Sequence, residues 1–136
     1  MYIYYVLMFG FYLLLRYRIY PKMLQIANPL LQEGSNLLFA VCVLLTFYLS
    51  NSDPGYVKPL NDDPDLFFKL LITYDPESLC PDCQIMKTAR CRHCNYCDRC
   101  IERFDHHCPW INNCVGAENY KLFYLFVVFQ LLYVSI

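Results

Sequence analysis

Apolar residues crowd into three runs along the chain, and a polar region separates the second run from the third. Residues 2–15 carry no charge and end at Arg16, Tyr17 and Arg18. A bilayer-spanning helix needs about 20 mostly apolar residues, so this run predicts a first membrane helix over 1–20, with the arginines reaching back to the interface. Pro21, Asn28-Pro29 and Gly34-Ser35 predict a loop. Residues 37–49 are again uncharged. Extended to 35–52, they predict a second membrane helix of roughly 27 Å at ~1.5 Å per residue, enough for a thin or locally deformed bilayer. Asn51-Ser52-Asp53-Pro54-Gly55 supplies turn residues that stop it. Residues 121–136 predict a third, incomplete membrane helix, as expected of a truncated chain such as a fragment or short splice form. The alternative for these runs is buried core helices, but the polar middle has too few aliphatic residues to cover three of them.

Composition sharpens the contrast. The 136 residues are 57% hydrophobic and 17% charged, with a net charge of −1. Eight of the 11 Lys and Arg and 11 of the 12 acids lie between Asn51 and Lys121. This balance gives no electrostatic argument for binding nucleic acid. The acidic stretch with Asp62, Asp63, Asp65, Asp75 and Glu77 reads as a solvated linker over 53–79. No short cleavable signal peptide is evident, and six of the nine cysteines fall in steps of three with histidines nearby. Reduced, metal-binding thiols facing the cytosol are therefore expected, rather than disulfides. Arg16, Arg18 and Lys22 on the opposite face conflict with this orientation under the positive-inside rule. The need of thiols for reducing conditions decides it.

Structural zinc takes four Cys or His ligands, often as cysteine pairs two residues apart. Cys80-Pro81-Asp82-Cys83 and Cys94-Asn95-Tyr96-Cys97 are such pairs. Cys91 and Cys100 extend the ladder, His93 sits within it, and His107 and Cys114 lie beyond. Unliganded thiols at this density in a polar loop would be an oxidation hazard. Donors exceed eight, enough for two ions, and spacing alone does not assign them. Apolar residues are so sparse here that the metals are expected to serve as the core, each contributing on the order of 10 kcal/mol.

Asp105-His106-His107-Cys108 ends the ladder. A nucleophilic cysteine needs a depressed pKa or an adjacent base, and His106 with Asp105 offers a base and its orienting carboxylate. Spacing equally allows Cys108 to be one more metal ligand and His106 a group behind it. Both readings stay open at this point.

The pattern Cys80-x2-Cys83-x9-His93-Cys94-x2-Cys97-x2-Cys100-x4-Asp105-His106-His107-Cys108-x5-Cys114 resembles the cysteine-rich domain of the DHHC protein S-acyltransferases, the palmitoyltransferases. Pro109-Trp110, Asn113, Gly116, Asn119-Tyr120 and Phe123 continue the likeness, and Asp53-Pro54-Gly55 is similar to that family's Asp-Pro-Gly motif. The fold implied is an α-helical integral membrane protein, with a cytosolic zinc domain of short strands and loops at 80–120 between the second and third membrane helices. By resemblance, one structural zinc belongs to Cys80, Cys83, His93 and Cys100, and a second to Cys94, Cys97, His107 and Cys114. Cys91 falls outside both sets, and Cys42 reads as an ordinary buried residue of the second span.

The resemblance also implies the chemistry. Cys108 would accept a fatty acyl group from acyl-coenzyme A, with His106 as base and Asp105 orienting it. The acyl group would then pass to membrane-proximal cytosolic cysteines of substrate proteins. The bilayer would hold the acyl chain, at roughly 0.8 kcal/mol per buried methylene. Lys87, Arg90 and Arg92 are candidates for the coenzyme A phosphates, with a solvated loop as the equal alternative. Trp110 would pack on the acyl chain or the interface, or be purely structural. Endoplasmic reticulum, Golgi or plasma membrane is the expected location. The family's fourth membrane helix and its Thr-Thr-x-Glu motif are absent, and 87–90 lacks the usual proline. A noncatalytic membrane zinc module that binds partners or full-length enzyme is therefore the competing class. A membrane zinc ubiquitin ligase would want longer gaps between ligand pairs and leaves Asp105-His106 without a role.

Overall fold

The computed structural model describes residues 2–14, 17–18, 29–59 and 64–135. Helix α1 covers Tyr2–Leu14 and α2 covers Pro29–Asn51. The remainder of the expected first span, and Pro21 and Asn28 of the expected loop, lie outside the described residues. Gly34-Ser35 does not form a loop: both residues sit inside α2, which is 23 residues long. Pro29 opens the helix, where its missing N–H costs nothing. A Cβ on Gly34 would meet nothing within 4 Å, and an interior glycine costs only about 1 kcal/mol, which the long apolar continuation overrides.

Polar side chains near the end of α2 fold back onto its own carbonyls. Thr46 donates to the Cys42 carbonyl at 2.7 Å, Ser50 to Thr46 at 2.8 Å and Asn51 to Phe47 at 2.7 Å. These groups are satisfied without water, as an apolar surrounding demands. Among the described residues, α2 is the one helix long and apolar enough to cross a membrane by length and composition. Its Leu37, Leu44, Phe47 and Tyr48 point outward, an apolar surface unsuited to water. Tyr12 of α1 stacks on Phe39 of α2 with ring centroids 4.0 Å apart, and Phe39 leans on Tyr133 at 5.8 Å.

The stretch 53–79 is not a plain linker. Helix α3, Pro64–Thr73, lies within it. Phe67 is buried and Leu70 and Leu71 half-buried, the i, i+3, i+4 spacing of one helix face, a periodicity that the surrounding acids obscure. A single turn, Pro76–Ser78, follows, and Asp75 accepts the Glu77 N–H at 3.0 Å to cap it.

Three antiparallel hairpins then build the cysteine-rich region. They pair β1 (Leu79–Cys80) with β2 (Ile85–Met86), β3 (Arg92–Cys94) with β4 (Arg99–Ile101), and β5 (His106–Cys108) with β6 (Asn113–Val115). Each turns through four residues, and the last of these, Gln84, Asp98 or Asn112, has φ of 51°, 51° or 48°. Helix α4, Tyr120–Ser135, follows directly and packs along α2.

Apolar residues here are few but well placed. Leu79, Ile85, Ile101, Ile111 and Val115 are fully buried, so the hairpins have small hydrophobic cores of their own. The expectation that metals alone form the core is corrected accordingly. The segment after α2 is stitched to the same region. Asp53 accepts the Gly55 and Tyr56 N–H groups at 2.8 Å each, and Gly55 adopts φ +100°. Val57 donates to the Cys100 carbonyl and Glu102 to the Gly55 carbonyl, both at 2.9 Å. A Cβ on Gly116 would overlap the Ile101 side chain and the Pro54 carbonyl, so only glycine fits that crossing.

Candidate functional site

The hairpins bring eight donors into two groups: Cys80, Cys83, His93 and Cys100, and Cys94, Cys97, His107 and Cys114. Each group takes two cysteines from the turn of one hairpin and a cross-strand His–Cys pair from the next, His93 opposite Cys100 and His107 opposite Cys114. Zn–S of ~2.3 Å and Zn–N of ~2.05 Å at tetrahedral angles require S···N edges of about 3.6 Å and S···S edges of about 3.8 Å. The sulfurs of Cys80, Cys83 and Cys100 lie 3.6, 3.3 and 3.9 Å from His93 Nδ1. Those of Cys94, Cys97 and Cys114 lie 3.8, 3.4 and 3.6 Å from His107 Nδ1, and Cys97 and Cys114 are 3.4 Å apart. Both groups have the dimensions of a tetrahedral thiolate–imidazole cage.

The electrostatics agree with the geometry. Burial, then the facing thiols of Cys80 and Cys83, push the Cys100 thiol above its ordinary range. Burial with Cys94 and Cys97 does the same to Cys114. Burial, with His106 alongside, holds His107 below its usual value. Thiolates crowded this closely want a cation between them, and a neutral imidazole is the form that ligates one. His93 turns its other nitrogen to Asp98 at 3.6 Å, and Tyr96 stacks on His107 at 4.8 Å. Such contacts behind the donors fix ring orientation. Cys91 is buried against Cys80 and Cys100 but belongs to neither group, and Cys42 is buried in α2.

Strand alternation separates the two adjacent histidines. Successive side chains of β5 point to opposite faces, so His107 faces the second donor group while His106 and Cys108 share the other face. Cys108 is 3% exposed and packs with Leu49 of α2, Ile111, Val115 and Phe126 of α4. Cys108 is in neither donor group. His106 Nδ1 lies 3.5 Å from Asp105 Oδ2, longer than a good hydrogen bond. The edge of the His106 ring meets Phe123 of α4 at 5.4 Å. Cys108 and His106 thus lie on one face of β5, with Asp105 beside His106, where the hairpin meets two apolar helices.

Sequence reasoning gave no role to Asn113 and Asn119, which hold this junction. Asn113 sits opposite Cys108 in the ladder. Its Nδ2 donates to the Leu49 and Ser52 carbonyls at 2.9 and 2.8 Å, and its Oδ1 accepts from the Cys114 N–H at 2.9 Å and the Tyr56 hydroxyl at 3.3 Å. Burial and the nearby Cys97 push Tyr56 up to about 12, which keeps it a donor. Asn119 accepts the Gly116 N–H and donates to the Cys114 carbonyl, both at 2.9 Å. The three basic candidates do not converge. Arg90 lines a cavity of about 400 Å³ with Arg103, Asp105, Tyr120 and Lys121. Lys87 and Arg92 line a separate one with Asp75 and Glu77. Trp110 is largely exposed.

Residues 73–136 match the family model described as DHHC palmitoyltransferase. Palmitoyltransferase akr1 of Emericella nidulans is 38% identical over 106 residues, covering 74% of this chain and 14% of that protein. Palmitoyltransferase ZDHHC2 of Mus musculus is 59% identical over 54 residues, 40% of this chain and 15% of its own length. Protein S-acyltransferase 8 of Arabidopsis thaliana is 35% identical over 117 residues, 67% of this chain and 28% of its own. The chain therefore spans less than a third of each of these relatives. Residues 73–136 therefore form a domain of the DHHC palmitoyltransferase family.

Proposed function

We propose that the chain carries the catalytic core of a membrane protein S-acyltransferase. The single observation that supports this most is the position of Cys108, outside both donor groups and on the same face of β5 as His106. The names of the relatives favour this reading over a noncatalytic zinc module. The Cys108 thiol loses its proton to His106, which Asp105 orients, and attacks the thioester carbonyl of a fatty acyl-coenzyme A. The carbon–sulfur bond to coenzyme A breaks, and its thiolate leaves with the proton returned by His106. A substrate protein's cysteine then repeats the exchange on the Cys108 thioester. Thioester replaces thioester in both steps, so no nucleotide hydrolysis is required.

Two structural zinc ions, held by Cys80, Cys83, His93 and Cys100 and by Cys94, Cys97, His107 and Cys114, would fix the hairpins as a rigid platform. The apolar seam of Leu49, Phe123 and Phe126 beside Cys108 is suited to an acyl chain entering from lipid. The protein acts in an endomembrane or plasma membrane with its hairpins on the cytosolic side, on cysteines close to the bilayer. Incubation of the zinc-loaded chain with palmitoyl-coenzyme A, followed by intact-mass spectrometry, is expected to show one hydroxylamine-labile acyl adduct that Cys108→Ser removes. No adduct from the folded, zinc-loaded chain would overturn the assignment for it.

A further inference from the structure

The two donor groups are one pattern used twice. Each ligand of the second group lies 14 residues after its counterpart: Cys80 and Cys94, Cys83 and Cys97, His93 and His107, Cys100 and Cys114. The backbone keeps the same step. The positive-φ residues Gln84, Asp98 and Asn112 are 14 apart, as are the starts of β2, β4 and β6. One further step gives Cys108, Ile111, Lys121 and Val128. The first position still holds a thiol. The second holds Ile111, 0% exposed, and the last two fall on α4, where a fourth hairpin would otherwise supply a histidine and a cysteine.

We infer that the third hairpin is a metal-binding hairpin disarmed at Ile111, and that this residue keeps Cys108 a free thiol. Structural zinc takes four donors, and here the turn provides one. Ile111 fills the place of the second sulfur and packs with Leu49 and Phe126, so the space of a third cage is apolar and lies beneath α2 and α4. Ile111 is thus a specificity-determining residue, which withholds from Cys108 the second turn donor that the two cages have. That it serves acyl transfer rests on the reading of Cys108 above. That it excludes metal does not.

The test installs the missing donor in the full chain. Ile111→Cys gives Cys108 a second thiol three residues on, in a hairpin turn of the same length and final left-handed residue as that of Cys94 and Cys97. His106 on the same strand face remains as a further nitrogen donor. With cadmium as the probe, native mass spectrometry is expected to count one more ion per chain than in the parent, with added thiolate-to-cadmium charge-transfer absorbance. Ile111→Ser, which removes the same branched side chain but brings no thiol, should gain none, and Cys108→Ser in the Ile111→Cys background should lose the extra ion. An unchanged metal count in an Ile111→Cys chain that keeps its original metals would overturn the inference. Should that variant lose its original metals, Ile111→His places another donor at the same point and is judged by the same count. These readouts need no acyl donor, so a parent that binds no acyl group would remove the transferase reading and leave this result standing.

Discussion

The second and third hairpins share a strand register, a turn length and a left-handed turn residue, and both carry cage donors, yet the turn sulfurs of one sit among donors and that of the other sits in an apolar seam. In β3–β4 the turn cysteines, Cys94 and Cys97, face donors carried by the next hairpin. In β5–β6 the equivalent positions, Cys108 and Ile111, face apolar side chains of α2 and α4. One backbone plan therefore sets its turn sulfurs in two surroundings, and the difference lies in the neighbours on the far side of the turn. Beside other donors a sulfur can share a metal ion, whereas an apolar seam offers it no such partners.

The strongest way to break this contrast is to remove metal. Stripping the chain with a chelator is expected to unfold the hairpins, since each structural site contributes on the order of 10 kcal/mol. Cys97→Ser should lose one ion per chain and much of the hairpins' protection from amide exchange. Cys108→Ser, on the next hairpin, should change neither. Equal loss in both variants would mean that Cys108 is also a metal ligand.

The adjacent histidines sharpen the comparison within three residues of one strand. His106→Ala is expected to slow acyl-adduct formation by about 10²- to 10⁴-fold, the range for loss of a general base, while metal count stays at the parental value. His107→Ala should instead lose one ion. Rapid-quench adduct kinetics beside metal analysis separates the two, and reversed phenotypes would reverse the facing of β5.

Smaller effects test the joints that hold the two kinds of hairpin together. Gly116→Ala forces a methyl group against the Pro54 carbonyl and Ile101, and overpacking of this kind costs about 1–3 kcal/mol. Loss of stability should appear as a lower thermal midpoint. Asn113→Ala would strand the Ser52 carbonyl and leave the Leu49 carbonyl only the Ser52 hydroxyl, at a cost of about 1–3 kcal/mol. Because Asn113 lies opposite Cys108 and not opposite a donor, adduct formation should fall while both metals remain.

Much of this was written plainly in the chain. Paired cysteines three residues apart announce metal-binding turns, and the apolar run at 37–49 announces α2. The donor sets that the resemblance implied coincide with the two groups in space. Other features were hidden for physical reasons. Gly34 and Ser35 look like a loop, but a long apolar helix tolerates both. Helix α3 was obscured by the acids around Phe67, Leu70 and Leu71. The hairpin turns close on Gln84, Asp98 and Asn112 rather than on glycine, so local turn chemistry did not mark them, and the 14-residue step was the signal that could have. Which face of β5 carries His106 depends on register, and register depends on those turns. The roles of Asn113 and Asn119 arise only when α2 and the third hairpin meet.

The most direct test of the account is to map acyl adducts over all nine cysteines of the zinc-loaded chain after exposure to palmitoyl-coenzyme A. A hydroxylamine-labile acyl group is expected on Cys108 and none on the other thiols. An adduct on any donor of the two cages, with Cys108 unmodified, would contradict it.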